Sequence, residues 1–149
     1  MIKKGIILAG GTGTRMSPLT KAVNKQLLPI YDKPLIYYPL GTLLHAGIKD
    51  ILIIVSSDYN KQLFKKVLSD IPNCNIEYAI QNSPRGLAEA FIIAEKFLDN
   101  SPSVLILGDN IFYGGPFHKD LIEIEHDKNV IFGYKVKNPR DYGVAVFDI

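Results

Sequence analysis

Apolar and polar positions alternate along this chain in blocks. Five or six short runs are almost continuous Ile, Val and Leu: Gly5–Ala9, Ile51–Ser56, Ile76–Ile80, Val104–Gly108, Val130–Val136 and Val144–Asp148. Runs of that length, apolar on both alternating faces, predict strands covered on both sides. Helical spacing fills the intervals. Pro34–Ala46 carries Leu35, Tyr38, Leu43 and Leu44; Asn60–Leu68 carries Leu63, Phe64, Val67 and Leu68. Leu87–Leu98 carries Ala90, Phe91, Ala94 and Leu98, and Phe117–His126 is a weaker helical pattern. Strands alternating with helices predict an α/β sandwich around a mostly parallel sheet. Such sheets bind ligands beyond the carboxyl ends of their strands, so the residues that follow each run are the ones to read for chemistry.

Length and composition narrow the picture. A chain of 149 residues suits one domain and hides about 70% of its unfolded surface. Apolar residues make up 47% and charged residues 21%, an ordinary globular balance. The net charge is only +2 and no run of Lys or Arg exceeds two, which argues against nucleic acid as a partner. Lys3 and Lys4 before Ile6–Ala9 are outwardly similar to a signal peptide, but glycines interrupt the apolar stretch. No apolar run approaches the roughly 20 residues of a membrane span. Cys74 is the single cysteine, without a disulfide partner and with too few thiols around it for structural zinc. This usage points to a reducing compartment, most simply the cytoplasm. No two histidines are spaced as zinc ligands on one helix.

The densest chemistry follows the first run. Gly10, Gly11 and Gly13 permit unusual backbone angles and bring N–H groups close to an anion. A dinucleotide fingerprint starting at Gly11 fails at its last position, Met16, and no phosphate loop ending in Gly-Lys-Ser/Thr is present. Glycines alone read best as a plain strand-to-helix turn. Arg15 and Lys25 change that balance: one is a planar fork for two phosphate oxygens, the other a compact point charge. Thr12 and Thr14 add hydroxyl donors, and Pro18 and Pro29 stiffen the loop. Together they predict a triphosphate cradle.

Two later strand ends carry further candidates. Gln81 offers a donor and an acceptor to a pyrimidine edge, and Gly86 lets a backbone lie close to a flat base. The competing reading is a surface glutamine and a helix-cap glycine. Asp109 follows a buried-looking strand, where a carboxylate is placed to hold Mg²⁺ against phosphate oxygens; the alternative is a turn cap. Arg85 reads as a surface charge.

The segments "LAGGTGTRMSPLT" and "NKQLLPIYDKPLIYYPL" resemble the signature of the sugar-phosphate nucleotidylyltransferases, closest to the glucose-1-phosphate thymidylyltransferases. The match holds the Gly-Gly-x-Gly-Thr-Arg turn and the Lys ahead of Leu-x-Pro, with Met16 where Leu is usual. The resemblance implies a Rossmann-like three-layer sandwich with a mostly parallel, mixed sheet of the nucleotide-diphospho-sugar transferase type. It implies transfer of a thymidylyl group from dTTP to glucose-1-phosphate, giving dTDP-glucose and pyrophosphate, with Mg²⁺ as cofactor. It assigns catalysis to Arg15 and Lys25, and nucleotide binding to Leu8, Gly10, Gly11, Thr12, Gly13, Thr14, Gln26, Gln81, Gly86 and Asn110. Asp109 becomes the metal ligand. "RDYGVAVFD" resembles the segment whose Tyr-Gly touches the sugar, here Tyr142 and Gly143.

The resemblance spans the whole chain, but family members are longer. Their Glu-Glu-Lys-Pro segment, second metal-binding Asp and C-terminal helices are not among these 149 residues. The expectation is a nucleotide-binding domain over 1–149 without the sugar-binding part, in a family that forms homo-oligomers. A non-catalytic nucleotide-binding fragment, a uridylyltransferase using UTP and a nicotinamide-dependent domain are the other readings; the missing third glycine opposes the last.

Overall fold

The computed structural model describes residues 2–146 apart from Thr12, Pro84, Gly114, Pro116, His126 and Asp127. Four of the apolar runs form one sheet: β1 (Lys4–Leu8), β4 (Asp50–Val55), β5 (Asn75–Ile80) and β6 (Ser103–Leu107). Their order is β5-β4-β1-β6 and every pairing is parallel. The two remaining strands, β2 (Pro29–Ile30) and β3 (Lys33–Pro34), form a small separate antiparallel hairpin. Its turn holds Tyr31 at φ 60°.

The strands alternate their side chains between two helical layers. Ile7, Ile51, Ile53 and Val55 face one side, where they pack with Leu40 and Leu43 of α1 (Tyr37–His45), Phe64 of α2 (Asp58–Val67) and Leu121 of α5 (Phe117–Glu123). Ile6, Leu52 and Ile54 face the other, against Ala90 and Ala94 around α3 (Glu89–Ile93) and α4 (Glu95–Leu98). Both faces are thus covered, which is why the runs are continuously apolar. The Ser57 hydroxyl accepts from Asn60 N at 3.2 Å and caps α2. On the opposite layer, Lys4 Nζ donates to the carbonyls of Phe97 and Leu98 at the end of α4.

Three expectations change. The helical stretch Leu87–Leu98 divides at Ala94, whose ψ of −2° interrupts the α-helix. Val130–Val136 forms no strand: Ile131 is 79% and Tyr134 90% exposed, and a strand needs a neighbour to receive its hydrogen bonds. Val144–Val146 is not a strand either, and the rest of that run lies outside the described residues.

The winding order, not the strand direction, reverses at β1. The connections run outward from β1 to β4 and β5, then return past β1 to β6. The carboxyl ends of β1 and β6 therefore flank the topological switch point, where a crevice opens in doubly wound sheets.

Candidate functional site at the carboxyl ends of the first and last strands

The turn after β1 is built from its own backbone and two local polar residues. Gly13 has φ +62° and leads into a single 3-10 turn, Thr14–Met16. The Thr20 hydroxyl donates to Gly13 O at 2.8 Å and closes the loop. A Cβ on Gly13 would lie 2.8 Å from Thr20 Cγ2 and 3.2 Å from Lys25 Cβ. The position therefore requires glycine twice over, by angle and by space. Gly13→Ala is expected to destabilise the protein by about 1–3 kcal/mol. Gly11→Ala should be close to neutral, because nothing lies within 4 Å of a Cβ there. Thermal melts of the two variants check the contrast.

Asn24 joins this turn to the next. Its amide donates to Ala9 O at 3.2 Å, while its Oδ1 accepts from Gln26 N at 2.9 Å and caps the 3-10 turn Lys25–Leu27. Lys25 is thereby placed beneath the glycine turn. Its ammonium meets Asp109 Oδ2 at 2.6 Å, closing a separation of 84 residues. Both side chains keep about a third of their surface in water, 29% for Lys25 and 33% for Asp109. A pair so placed is worth at most about 1 kcal/mol. An incoming phosphate or cation can therefore displace either partner at little cost.

Gln26 lies against the end of β6. A Cβ on Gly108 would come within 2.9 Å of Gln26 Cγ and 3.2 Å of Leu8 O, so only glycine lets the two strand ends close here. Gln26 is 4% exposed, and its Oε1 is buried without a hydrogen-bond partner among the described residues. A buried acceptor left in this state is costly and suits a donor brought by a ligand.

The candidates on the other strand ends divide. Asn110 takes the cap role: its Oδ1 accepts from Leu107 N at 3.3 Å. Asp109 does not; its carboxylate turns to Lys25 instead. Gln81 is 6% exposed, with Nε2 donating to Glu89 Oε2 at 2.7 Å and Oε1 only 3.3 Å from where a Gly10 Cβ would stand. Gly86 has φ +97° and open space around it. Arg15 and Thr14 are exposed, and the Arg15 guanidinium has no partner among the described residues. Leu8 is half-buried at the end of β1 and packs against the cluster that includes Ala90 and Ala94. Tyr142 and Gly143 follow a 3-10 turn, Pro139–Asp141, in an exposed stretch, and Tyr142 is 62% exposed. Thr12 lies outside the described residues.

Thr20, Asn24 and Glu89 escape sequence reading. Asn24 alone had a signal, since Asn before a tight helical turn is a common cap. Cys74 stays outside the site. Burial pushes its thiol above the ordinary range, the reverse of what a reactive thiol needs. Among the described residues no group of three His, Cys, Asp or Glu side chains forms a metal cage, and no helix is long and apolar enough to cross a membrane.

A parallel α/β sheet with a glycine turn, an exposed Arg and a Lys–Asp pair at its switch point is an arrangement suited to a phosphate-bearing ligand. The nucleotidyl transferase family model matches residues 4–149, and the chain belongs to that family. It is 52% identical to the glucose-1-phosphate thymidylyltransferase of Neisseria gonorrhoeae over 149 residues, covering 97% of this chain and 51% of that protein. With the Mycolicibacterium smegmatis glucose-1-phosphate thymidylyltransferase it shares 51% identity, covering 97% of this chain and 51% of that protein. The chain thus spans about half the length of the curated relatives it matches.

Solved structures agree on the fold. A Bacillus anthracis structure assigned as a glucose-1-phosphate thymidylyltransferase, in complex with sucrose, has a TM-score of 0.72 at 37% identity. That alignment covers 80% of this chain and 50% of the other. A UDP-glucose pyrophosphorylase complexed with UDP-glucose has a TM-score of 0.65 at 33% identity, covering 82% of this chain and 52% of the other.

Proposed function

We propose that residues 1–149 form the nucleotide-binding part of a glucose-1-phosphate thymidylyltransferase, which joins dTTP and glucose-1-phosphate into dTDP-glucose and pyrophosphate. The observation that carries the reading is the Lys25–Asp109 pair at 2.6 Å under the glycine turn. It brings together a cation suited to phosphate and an anion suited to a metal ion, which supports the reading. The names of the relatives support the choice of substrates.

An oxygen of the sugar phosphate attacks the α-phosphorus of the nucleotide, a new P–O bond forms, and the bond to the bridging α–β oxygen breaks. Pyrophosphate leaves with that electron pair. The nucleophile is already ionised, so no general base is needed; positioning and charge neutralisation carry the catalysis. Arg15, exposed and without a partner among the described residues, neutralises the departing pyrophosphate. Lys25 holds the α-phosphate and the attacking phosphate together against their repulsion. Backbone N–H groups of Gly10, Gly11, Thr12, Gly13 and Thr14 surround the triphosphate. Gln26 supplies its orphaned acceptor to a nucleotide donor, and Gln81 with Gly86 receives the base. Leu8 and Asn110 border the nucleotide, and Tyr142 and Gly143 contact the sugar.

Mg²⁺ commonly takes one or two carboxylates and completes its shell with phosphate oxygens and water. Asp109 suits that pattern without a protein cage: it would hold the ion, which would supply neutralisation of phosphate charge. Following the family, we place the reaction in the cytoplasm and in a homo-oligomer. The runner-up nucleotide is UTP, favoured by the likeness to UDP-glucose pyrophosphorylase. A fragment that binds nucleotide without turning it over is the remaining alternative.

Calorimetric titration of the protein in Mg²⁺ with dTTP, UTP, ATP and NAD tests the reading. Heat from dTTP, weaker heat from UTP and none from ATP or NAD is expected. A folded protein that binds no pyrimidine nucleotide would sink it.

A further inference from the structure

The Gln81 amide is not free to choose which end it shows the crevice. Its Nε2 donates to Glu89 Oε2 at 2.7 Å. An ionised carboxylate only accepts, so it can bind the nitrogen end of an amide and never the oxygen end. Glu89 is itself held. The Arg85 guanidinium reaches Oε1 of the same carboxylate through Nε at 2.8 Å and through a terminal nitrogen at 2.6 Å, and Arg85 N donates to Oε2 at 3.3 Å. The Glu89 side chain is 11% exposed, although Arg85 covering it is 78% exposed. The Gln81 hydrogen bond, and then the Arg85 contacts, keep this carboxyl below the usual range, so it stays an anion at neutral pH.

We infer that Glu89, clamped by Arg85, is a specificity-determining positioning residue that locks the Gln81 amide with Oε1 toward Gly10 and the crevice. The inference rests on the nucleotide-binding reading above. Thymine and uracil carry an N3–H donor, which an inward Oε1 accepts. Cytosine has a bare N3 acceptor at that position and meets Oε1 lone pair to lone pair. A glutamine able to flip would serve both edges, by exchanging its donor and acceptor. The acceptor-only partner removes that freedom, so the choice between imide and aminopyrimidine bases is made by a residue that touches no base. It acts through one hydrogen bond on the far side of Gln81.

The test compares affinities for dTTP and dCTP, and for UTP and CTP, in the parent protein, Glu89→Gln and Arg85→Gln. Glutamine at 89 both donates and accepts, so it supports either orientation of Gln81. The preference for dTTP over dCTP is expected to fall about tenfold in Glu89→Gln, the scale of one hydrogen bond. A smaller fall, about threefold, is expected in Arg85→Gln, whose exposed side chain can change without loss of fold. A purely structural role would weaken all four nucleotides together and leave the ratios alone. Parent selectivity retained within twofold in both variants overturns the inference while leaving the nucleotide site intact. A parent protein that binds none of the four overturns both readings at once.

Discussion

For the reaction proposed above, Arg15→Ala is expected to lower the rate of pyrophosphate release from dTTP and glucose-1-phosphate by about 10²–10³, the scale of a lost charge-stabilising donor. Affinity for dTTP should fall much less. The asymmetry follows from where the charge is. In the free protein the Arg15 guanidinium is exposed and without a partner among the described residues, so no ion pair must break before it meets phosphate. Charge builds on the leaving pyrophosphate as the bond breaks, and a cation there is worth most at that moment. Lys25 differs, because its ammonium starts 2.6 Å from Asp109 and its loss also strips that carboxylate of its counterion. Single-turnover measurements separate the two effects. An unchanged turnover number in Arg15→Ala would remove it from the chemistry.

The second large effect is on stability. Phe64→Ala is expected to destabilise the protein by about 3–5 kcal/mol, from lost burial and from the cavity left behind. Phe64 is fully buried and is the largest side chain in the core, set between α2 and the sheet face formed by Ile51, Ile53 and Val55. Neighbours fixed in a sheet cannot collapse far into the space. Against a typical total of about 5–15 kcal/mol the loss is large, and the melting temperature should drop by about 10 °C. A loss below about 1 kcal/mol in denaturant titration would mean that α2 is loosely docked. The same helix layer supports α1 through the Tyr37 hydroxyl, which donates to Val67 O at 2.9 Å, so both helices should loosen together.

Much of the site was legible one strand at a time. The glycine turn and Asp109 announce themselves by residue type just past an apolar run, and Lys25 by its place in the signature segment. Their meeting does not, since Lys25 and Asp109 are 84 residues apart and no local pattern marks the pairing. Glu89 left no trace because a single acidic residue at the start of a helix is ordinary. Its role appears only when β5 delivers Gln81 alongside it. The apolar run at Val130–Val136 shows the opposite failure. It has the composition of a strand, yet Ile131 and Tyr134 stand in solvent. Strand propensity measures fit to a neighbouring pleated surface, and no neighbour is supplied there among the described residues. The β2–β3 hairpin escaped for want of length, with only two residues in each strand.

By itself, then, the sequence determined the elements whose physics is local. Continuous apolar runs demand cover on both faces, helical spacing supplies that cover, and Gly13 permits a turn that no other residue fits. The family signature added the identity of the chemistry. The tertiary structure alone decided the strand order β5-β4-β1-β6, and with it which strand ends share a crevice. It also decided which polar groups find partners: Asn110 with its own strand end, Asp109 with Lys25, and Gln81 with Glu89. Hydrogen bonds and ion pairs act over a few ångströms in space, and distance along the chain says nothing about that separation until the sheet has formed.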